Sequence, residues 1–150
     1  MKNEGHSVAA YQTEDFNESL GVNDRVALAY ANTVMRERIN HQHMLNGVTL
    51  VDPATTFIDA DVVIGSDTVI EGNVTIKGKT VIGEDCVITN GSQIVDSQIA
   101  DAVVIKASVV ENSIIHQQAD VGPYAHLRPH SEIGAKAHIG NYVEIKNATI

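Results

Sequence analysis

The segment TFIDAD-VVIGSD-TVIEGN-VTIKGK-TVIGED-CVITNG, residues 56–91, decides the fold, because isoleucine returns at every sixth position. Each hexapeptide begins with a small or β-branched residue and carries its isoleucine two residues later. An α-helical stripe does not recur at a strict spacing of six, so chance amphipathicity does not explain the pattern. Such a period is typical of a parallel β-helix, in which three hexapeptides, eighteen residues, close one triangular coil.

The same spacing continues on both sides of this segment and predicts which side chains fill the interior. We expect the aliphatic residue to point inwards and the small residue to fit the narrow slot beside the corner. No coil buries its apolar face alone, so stacking of coils makes the core. The inward aliphatic positions are Ile58, Ile64, Ile70, Ile76, Ile82, Ile88 and Ile94, then Ile115, Val121, Leu127, Ile133, Ile139 and Ile145.

The residue after the aliphatic is predicted to form the corner. This position holds Asp59, Gly65, Gly83, Gly122, Gly134 and Gly140. We expect positive φ there, because glycine adopts that conformation without steric cost.

Residues 95–114 interrupt the period. Ile94 and Ile115 are 21 residues apart, three more than three hexapeptides. Ile99, Val104 and Val109, or the neighbours one residue later, keep inward positions at intervals of five and six. The pattern predicts a coil with an altered corner and leaves its register open.

Before the repeats, residues 24–46 are predicted to form one helix. Asn23 or Asp24 suits the N-cap and Gly47 suits the C-terminal stop. His41 and His43 are predicted to be solvated surface residues. Further upstream, residues 7–12 are predicted to form a short strand and residues 13–19 a turn or short helical piece.

Composition limits the classes of function. The chain has 150 residues, a net charge of −9 and one cysteine. The negative charge argues against nucleic acid as a partner. Cys86 occupies a small-residue slot, so we expect a buried, inert thiol in a reducing compartment. With no apolar run long enough to span a bilayer and no secretory segment, we expect a cytoplasmic protein with no membrane partner.

Two cations follow inward aliphatic residues one full coil apart. Arg128 follows Leu127 and Lys146 follows Ile145, so the same corner receives both. Like charges on neighbouring strands repel, and a bound anion offsets this repulsion. The spacing predicts a phosphate or phosphosugar site, and the alternative is two solvated side chains that splay apart. Lys77 takes the equivalent position alone, because Val95 lies one coil later.

His126, His130 and His138 lie in the same region and suggest a second reading, a zinc enzyme such as a carbonic anhydrase. By the period, His126 and His138 fall on different faces, which argues against one ion within the chain. A site between subunits stays open as an alternative.

Five motifs together resemble a known family. They are GVNDR at 21–25, VDP at 51–53, IGSDTV at 64–69, VGPYAHLRP at 121–129 and IGNYVEIK at 139–146. The chain is similar, over essentially its whole length, to the bacterial bifunctional N-acetylglucosamine-1-phosphate uridyltransferase/glucosamine-1-phosphate acetyltransferases.

The resemblance implies a fold and an activity. It implies a mainly β fold, a left-handed parallel β-helix of hexapeptide repeats preceded by one long α-helix. The implied domains are a C-terminal remnant of the uridyltransferase domain (1–22), a linker helix (23–47) and the first coils of the acetyltransferase domain (48–150). The implied activity is acetyl transfer from acetyl-CoA to glucosamine 1-phosphate, then uridylyl transfer from UTP with magnesium, in a homotrimer.

The resemblance also implies roles for particular residues. Arg128 and Lys146 match the pair that binds the sugar phosphate, and Asn23 matches an asparagine that helps hold magnesium and the UDP-sugar. The family's catalytic histidine is expected beyond Ile150, as are the coils that bind acetyl-CoA, so no residue of this chain is assigned as catalytic. We expect the chain alone to catalyse neither reaction. Two alternatives stay open: a sugar-nucleotidyltransferase whose β-helix is structural, and a non-enzymatic solenoid that mediates oligomerisation.

Overall fold

A computed structural model describes residues 21–150, and the elements predicted at residues 7–12 and 13–19 lie outside that range. The described residues form one α-helix followed by a β-solenoid of three parallel sheets, which confirms the predicted fold class. The chain divides into two compact units between Met35 and Arg36. None of the helices in the described range combines the length and apolar character that crossing a membrane requires.

The strands are two to four residues long and are numbered along the chain. Sheet A contains β1 (Thr49–Leu50), β4 (Val69–Ile70), β7 (Val87–Ile88), β10 (Val104–Ile105), β13 (Asp120–Val121) and β16 (His138–Ile139). Sheet B contains β2 (Thr56–Ile58), β5 (Val74–Lys77), β8 (Gln93–Val95), β11 (Val109–Glu111), β14 (His126–Leu127) and β17 (Glu144–Ile145). Sheet C contains β3 (Val63–Ile64), β6 (Val81–Ile82), β9 (Gln98–Ile99), β12 (Ile114–Ile115) and β15 (Glu132–Ile133).

The helix α1 (Arg25–Leu45) begins and ends as its flanking residues predict. The Ala27 amide donates to Asp24 Oδ1 at 2.8 Å, so Asp24 rather than Asn23 caps the N-terminus. Gly47 has φ of 93°, and the Val48 amide reaches back to the His43 carbonyl at 3.0 Å. This is the hydrogen bond of a Schellman stop, which requires a left-handed residue where glycine lies.

The second half of α1 packs on the first coil. Asn40 is 1% exposed and donates to the carbonyls of Pro53 and Thr56 at 2.9 and 3.0 Å. Pro53 opens a short 3-10 helix, Pro53–Thr55. His43 is half-buried rather than solvated, which corrects the prediction, and this burial lowers its pKa.

The interior is a column of aliphatic side chains, as the period predicts. Of the thirteen predicted inward positions, all are buried, and those from Ile70 to Ile133 are at most 1% exposed. Regular coils pair residues eighteen apart, such as Ile58 with Ile76. Cys86 is fully buried, and desolvation raises the pKa of its thiol, in agreement with an inert packing role.

Buried hydroxyls occupy some of the small-residue slots beside all three sheets. The oxygens of Thr68 and Ser108 accept from the amides of Cys86 and Ala125, one coil later, at 3.1 and 3.0 Å. Ser97 accepts from the Ser113 amide in the same way, at 3.1 Å. The small slots therefore satisfy backbone donors that the short strands leave without a ladder partner.

The interrupted region keeps the solenoid by shortening its corners. The inward residues between Ile94 and Ile115 are Ile99, Ile105 and Val110, in steps of five, six, five and five residues. In the five-residue steps the residue with positive φ follows the aliphatic by two positions, as at Asp96, Ala107 and Asn112. In most six-residue steps it follows by three, as at Asp67 and Gln118. Residues 95–114 are therefore a continuous part of the stack.

The predicted reason for the corner glycines is wrong at most positions. Among them only Gly122 has positive φ, at 94°. A Cβ on Gly65 would lie 2.6 Å from the Gly83 carbonyl carbon and 2.7 Å from the Glu84 amide nitrogen. Glycine is needed there because consecutive coils approach too closely for a side chain.

Candidate functional site

Arg128 and Lys146 lie on neighbouring rungs of sheet B. Strands β14 and β17 pair in parallel with Leu127 opposite Ile145. The Arg128 amide donates to the Ile145 carbonyl at 2.8 Å, which continues the ladder beyond the paired residues. Because each cation follows an inward aliphatic, both occupy outward positions on one wall.

Arg128 has an acidic partner that the sequence reasoning missed. Arg128 Nη1 donates to Glu144 Oε1 at 2.9 Å, and the two side chains are 41% and 59% exposed. Lys146 is exposed and has no ion pair within residues 21–150. Repulsion between two cations is therefore partly offset inside the chain, contrary to the premise of the sequence argument. Charge alone no longer requires a bound anion.

A histidine–carboxylate contact lies one coil earlier on the same wall. His126 Nε2 is 2.8 Å from Glu111 Oε2, and both side chains are about two-fifths exposed. Val110 pairs with Leu127, so Glu111 occupies the rung before Arg128. The outward column on sheet B thus reads Glu111, Arg128 and Lys146 in consecutive coils.

His116 and His138 make similar contacts on other walls. His116 Nε2 is 2.7 Å from Glu132 Oε1 on sheet C. His138 Nδ1 is 3.3 Å from Asp120 Oδ2 on sheet A, and Lys106 Nζ is also 3.3 Å from that carboxylate. Within the described residues, no three His, Cys, Asp or Glu side chains are grouped closely enough to hold a metal ion.

Asn23 precedes α1 with its side chain exposed. Its side-chain oxygen is one possible metal ligand, whereas magnesium takes six ligands in near-octahedral geometry. The described residues around it do not make a complete magnesium site.

Two tyrosines stack at the corner that leads into β14 and β17. The rings of Tyr124 and Tyr142 have centroids 5.5 Å apart with planes at 19°. They are eighteen residues apart, so the coil period alone could have predicted their contact.

Both cations are accessible to solvent, because the Arg128 side chain is 41% exposed and Lys146 is exposed. A cleft of about 270 Å³ opens at the next corner and is lined by Asp96, Asn112, His130 and Glu132, among others. Neither Arg128 nor Lys146 lines it. The wall can therefore offer two cationic side chains to a small anion.

Comparisons with known proteins agree with this architecture. Residues 45–150 match the family model described as the GMPPB C-terminal domain. All 150 residues align with the bifunctional protein GlmU of Enterococcus faecalis at 65% identity and with that of Lactobacillus delbrueckii subsp. bulgaricus at 58%. These matches confirm the resemblance drawn from the motifs, and the chain spans about a third of each relative, 33% and 32%.

Among solved structures, a hexapeptide transferase family protein from Anaplasma phagocytophilum matches with a TM-score of 0.42 at 18% identity. The match covers 66% of this chain and 69% of that chain.

Proposed function

Since the chain belongs to the family of the GMPPB C-terminal domain and is similar throughout to bifunctional GlmU proteins, we propose that it is part of an enzyme that makes UDP-N-acetylglucosamine. The two reactions are acetyl transfer to glucosamine 1-phosphate and uridylyl transfer from UTP. In this proposal residues 1–22 end the uridyltransferase domain, residues 23–47 link the domains and residues 48–150 form the first acetyltransferase coils.

The observation that carries the proposal is the adjacency of Arg128 and Lys146 on sheet B. A guanidinium binds two phosphate oxygens at once, and an ammonium adds a compact positive charge. The Arg128 fork has five N–H donors, so it can contact a phosphate while one donor remains on Glu144. The role of this part of the chain is to anchor the phosphate of glucosamine 1-phosphate.

The cofactors and assembly belong to the same proposal. Acetyl-CoA supplies the acetyl group in the whole enzyme, and we assign no residue of this chain to it. Asn23 would supply one oxygen to magnesium and the UDP-sugar, with the remaining ligands from other parts of the enzyme. We propose a cytoplasmic homotrimer with no nucleic-acid or membrane partner.

The phosphate role is tested by calorimetric titration with glucosamine 1-phosphate. The host is a chimaera in which residues 1–150 replace the matching third of the Enterococcus faecalis relative. Changing Arg128→Ala and Lys146→Ala together should weaken binding at least about 100-fold, because two charge-assisted contacts are lost. Lys77→Ala is the matched control, since Lys77 lies on the same wall opposite Val95. Equal affinity in the double variant and its parent would reject the phosphate role.

The enzymatic role is tested by CoA release from acetyl-CoA and glucosamine 1-phosphate. We expect release by the chimaera and none by the 150-residue chain alone. A chimaera that folds and assembles without releasing CoA would favour the passive solenoid, and release by the short chain would contradict its proposed dependence on the rest of the enzyme.

A further inference from the structure

The outward column on sheet B places a carboxylate directly beside the proposed phosphate anchor. Glu111 and Arg128 follow Val110 and Leu127, which pair across neighbouring strands. Opposite charges on directly adjacent rungs attract each other. Glu111 is therefore the natural second partner for Arg128, in addition to Glu144.

The structure shows Glu111 engaged elsewhere. Its Oε2 lies 2.8 Å from Nε2 of His126, which precedes Leu127, whereas Arg128 follows it. His126 and Arg128 thus stand two residues apart on the same face, roughly 7 Å along the strand. The contact with His126 draws the Glu111 carboxylate back toward the start of β14. Arg128 donates to Glu144 of the following coil, which pairs with His126 across the strands.

We propose that His126 is a positioning residue of the sugar-phosphate site, which it serves by holding the Glu111 carboxylate away from Arg128. This inference rests on the proposed function. With His126 in place, one carboxylate contacts Arg128 and Lys146 has no acidic partner within residues 21–150. Without it, Glu111 turns to Arg128, takes up guanidinium donors and repels the incoming phosphate.

The mechanism predicts an effect on binding and not on the chemical step. His126 contacts neither the phosphate nor the reacting atoms in this proposal. Its loss should therefore raise KM for glucosamine 1-phosphate while kcat stays constant, the mark of lost binding that is equal in the ground state and the transition state.

The test is a double-mutant cycle in the chimaera, read by titration with glucosamine 1-phosphate and by steady-state kinetics. His126→Ala should weaken binding roughly three- to ten-fold, as expected for one misplaced charge at a half-exposed site. Adding Glu111→Gln should restore the affinity, because the competing charge is gone. His126→Gln should retain affinity, since its amide nitrogen can replace Nε2 as the donor to Glu111.

The matched control is His116→Ala. His116 and Glu132 form a pair of similar length and exposure on sheet C, at 2.7 Å with side chains 41% and 45% exposed. His116→Ala should leave the affinity for glucosamine 1-phosphate unchanged. The control therefore separates the general effect of losing a histidine–carboxylate pair from an effect at the sugar-phosphate site.

Two results would overturn the inference while the proposed function stands. One is unchanged affinity in His126→Ala while the Arg128→Ala, Lys146→Ala variant loses binding. The other is a His126→Ala defect that Glu111→Gln does not correct, which would indicate a structural role. If the Arg128→Ala, Lys146→Ala variant binds normally, the proposed function and this inference both fail.

Discussion

The inner and outer positions of the same hexapeptides differ in how much they vary along the solenoid. Inward positions hold an aliphatic residue in every coil from Ile58 to Ile145. The outward column that follows them on sheet B instead reads Asp59, Lys77, Val95, Glu111, Arg128 and Lys146. Residues one position apart thus serve different purposes: the inside specifies the fold and the outside is free to specify a ligand.

The energetic difference between the two positions explains that division. Burying one isoleucine side chain contributes about 1.5–3 kcal/mol to the free energy of unfolding. An exposed ion pair contributes about 0–1 kcal/mol. The solenoid can therefore change its outer charges from coil to coil at little cost in stability.

The largest loss of stability is expected when the inward member of two adjacent isoleucines is changed. Ile115 is fully buried and Ile114 is 40% exposed. Ile115→Ala should reduce the free energy of unfolding by about 2–5 kcal/mol through a cavity that its neighbours cannot fill. Ile114→Ala should cost less than about 1 kcal/mol. Urea unfolding of the two variants measures both, and equal losses would show that inner and outer positions are energetically alike.

The next effect tests whether close approach of coils, and not φ, demands glycine. Gly65→Ala places a methyl 2.6 Å from the backbone of the next coil. Overpacking against backbone should cost about 3 kcal/mol. The thermal midpoint of the variant relative to that of the parent chain measures this cost, and a neutral Gly65→Ala would contradict the packing explanation.

A smaller loss is expected on removal of a buried slot hydroxyl. Ser108→Ala removes the oxygen that accepts from the Ala125 amide at 3.0 Å, so a buried donor is left without a partner. The expected cost is about 1–2 kcal/mol in urea unfolding. Ser131→Ala is the control, because that hydroxyl donates to the Arg128 and Ile145 carbonyls, and the Ile145 carbonyl still accepts from the Arg128 amide. A Ser131→Ala cost equal to that of Ser108→Ala would mean that donor satisfaction is not what the slots provide.

The sequence predicts the interior well because one residue type occupies one environment throughout the regular coils. It leaves the interrupted region open because Val104-Ile105 and Val109-Val110 offer two adjacent apolar residues for one inward position. The small or β-branched residue two positions before each inward aliphatic decides which of the two adjacent residues points inwards. Val103 and Ser108 are buried two positions before Ile105 and Val110, so counting from the small residue would have identified the inward side chain.

The site is less predictable because its contacts run diagonally between coils. Counting eighteen residues places Arg128 beside Lys146, but Glu144 reaches Arg128 from sixteen residues away and Glu111 reaches His126 from fifteen. These diagonals join the residue after one inward aliphatic to the residue before the next in the column. Counting whole coils of eighteen residues does not predict these diagonal contacts. The repulsion between Arg128 and Lys146 was therefore overestimated.

The smallest effect concerns the outer ion pair itself. Glu144→Gln removes the carboxylate that Arg128 contacts at 2.9 Å, at side chains 41% and 59% exposed. We expect the free energy of unfolding to fall by less than about 1 kcal/mol, because solvent already screens the charges. The difference should shrink further at 1 M salt, where the screening length is about 3 Å. Urea unfolding at low and high salt measures both, with Ile114→Ala as an uncharged outer-wall reference. A salt-independent loss as large as that of Ile115→Ala would mean that the outer wall helps to specify the fold, and the division between inside and outside would not hold.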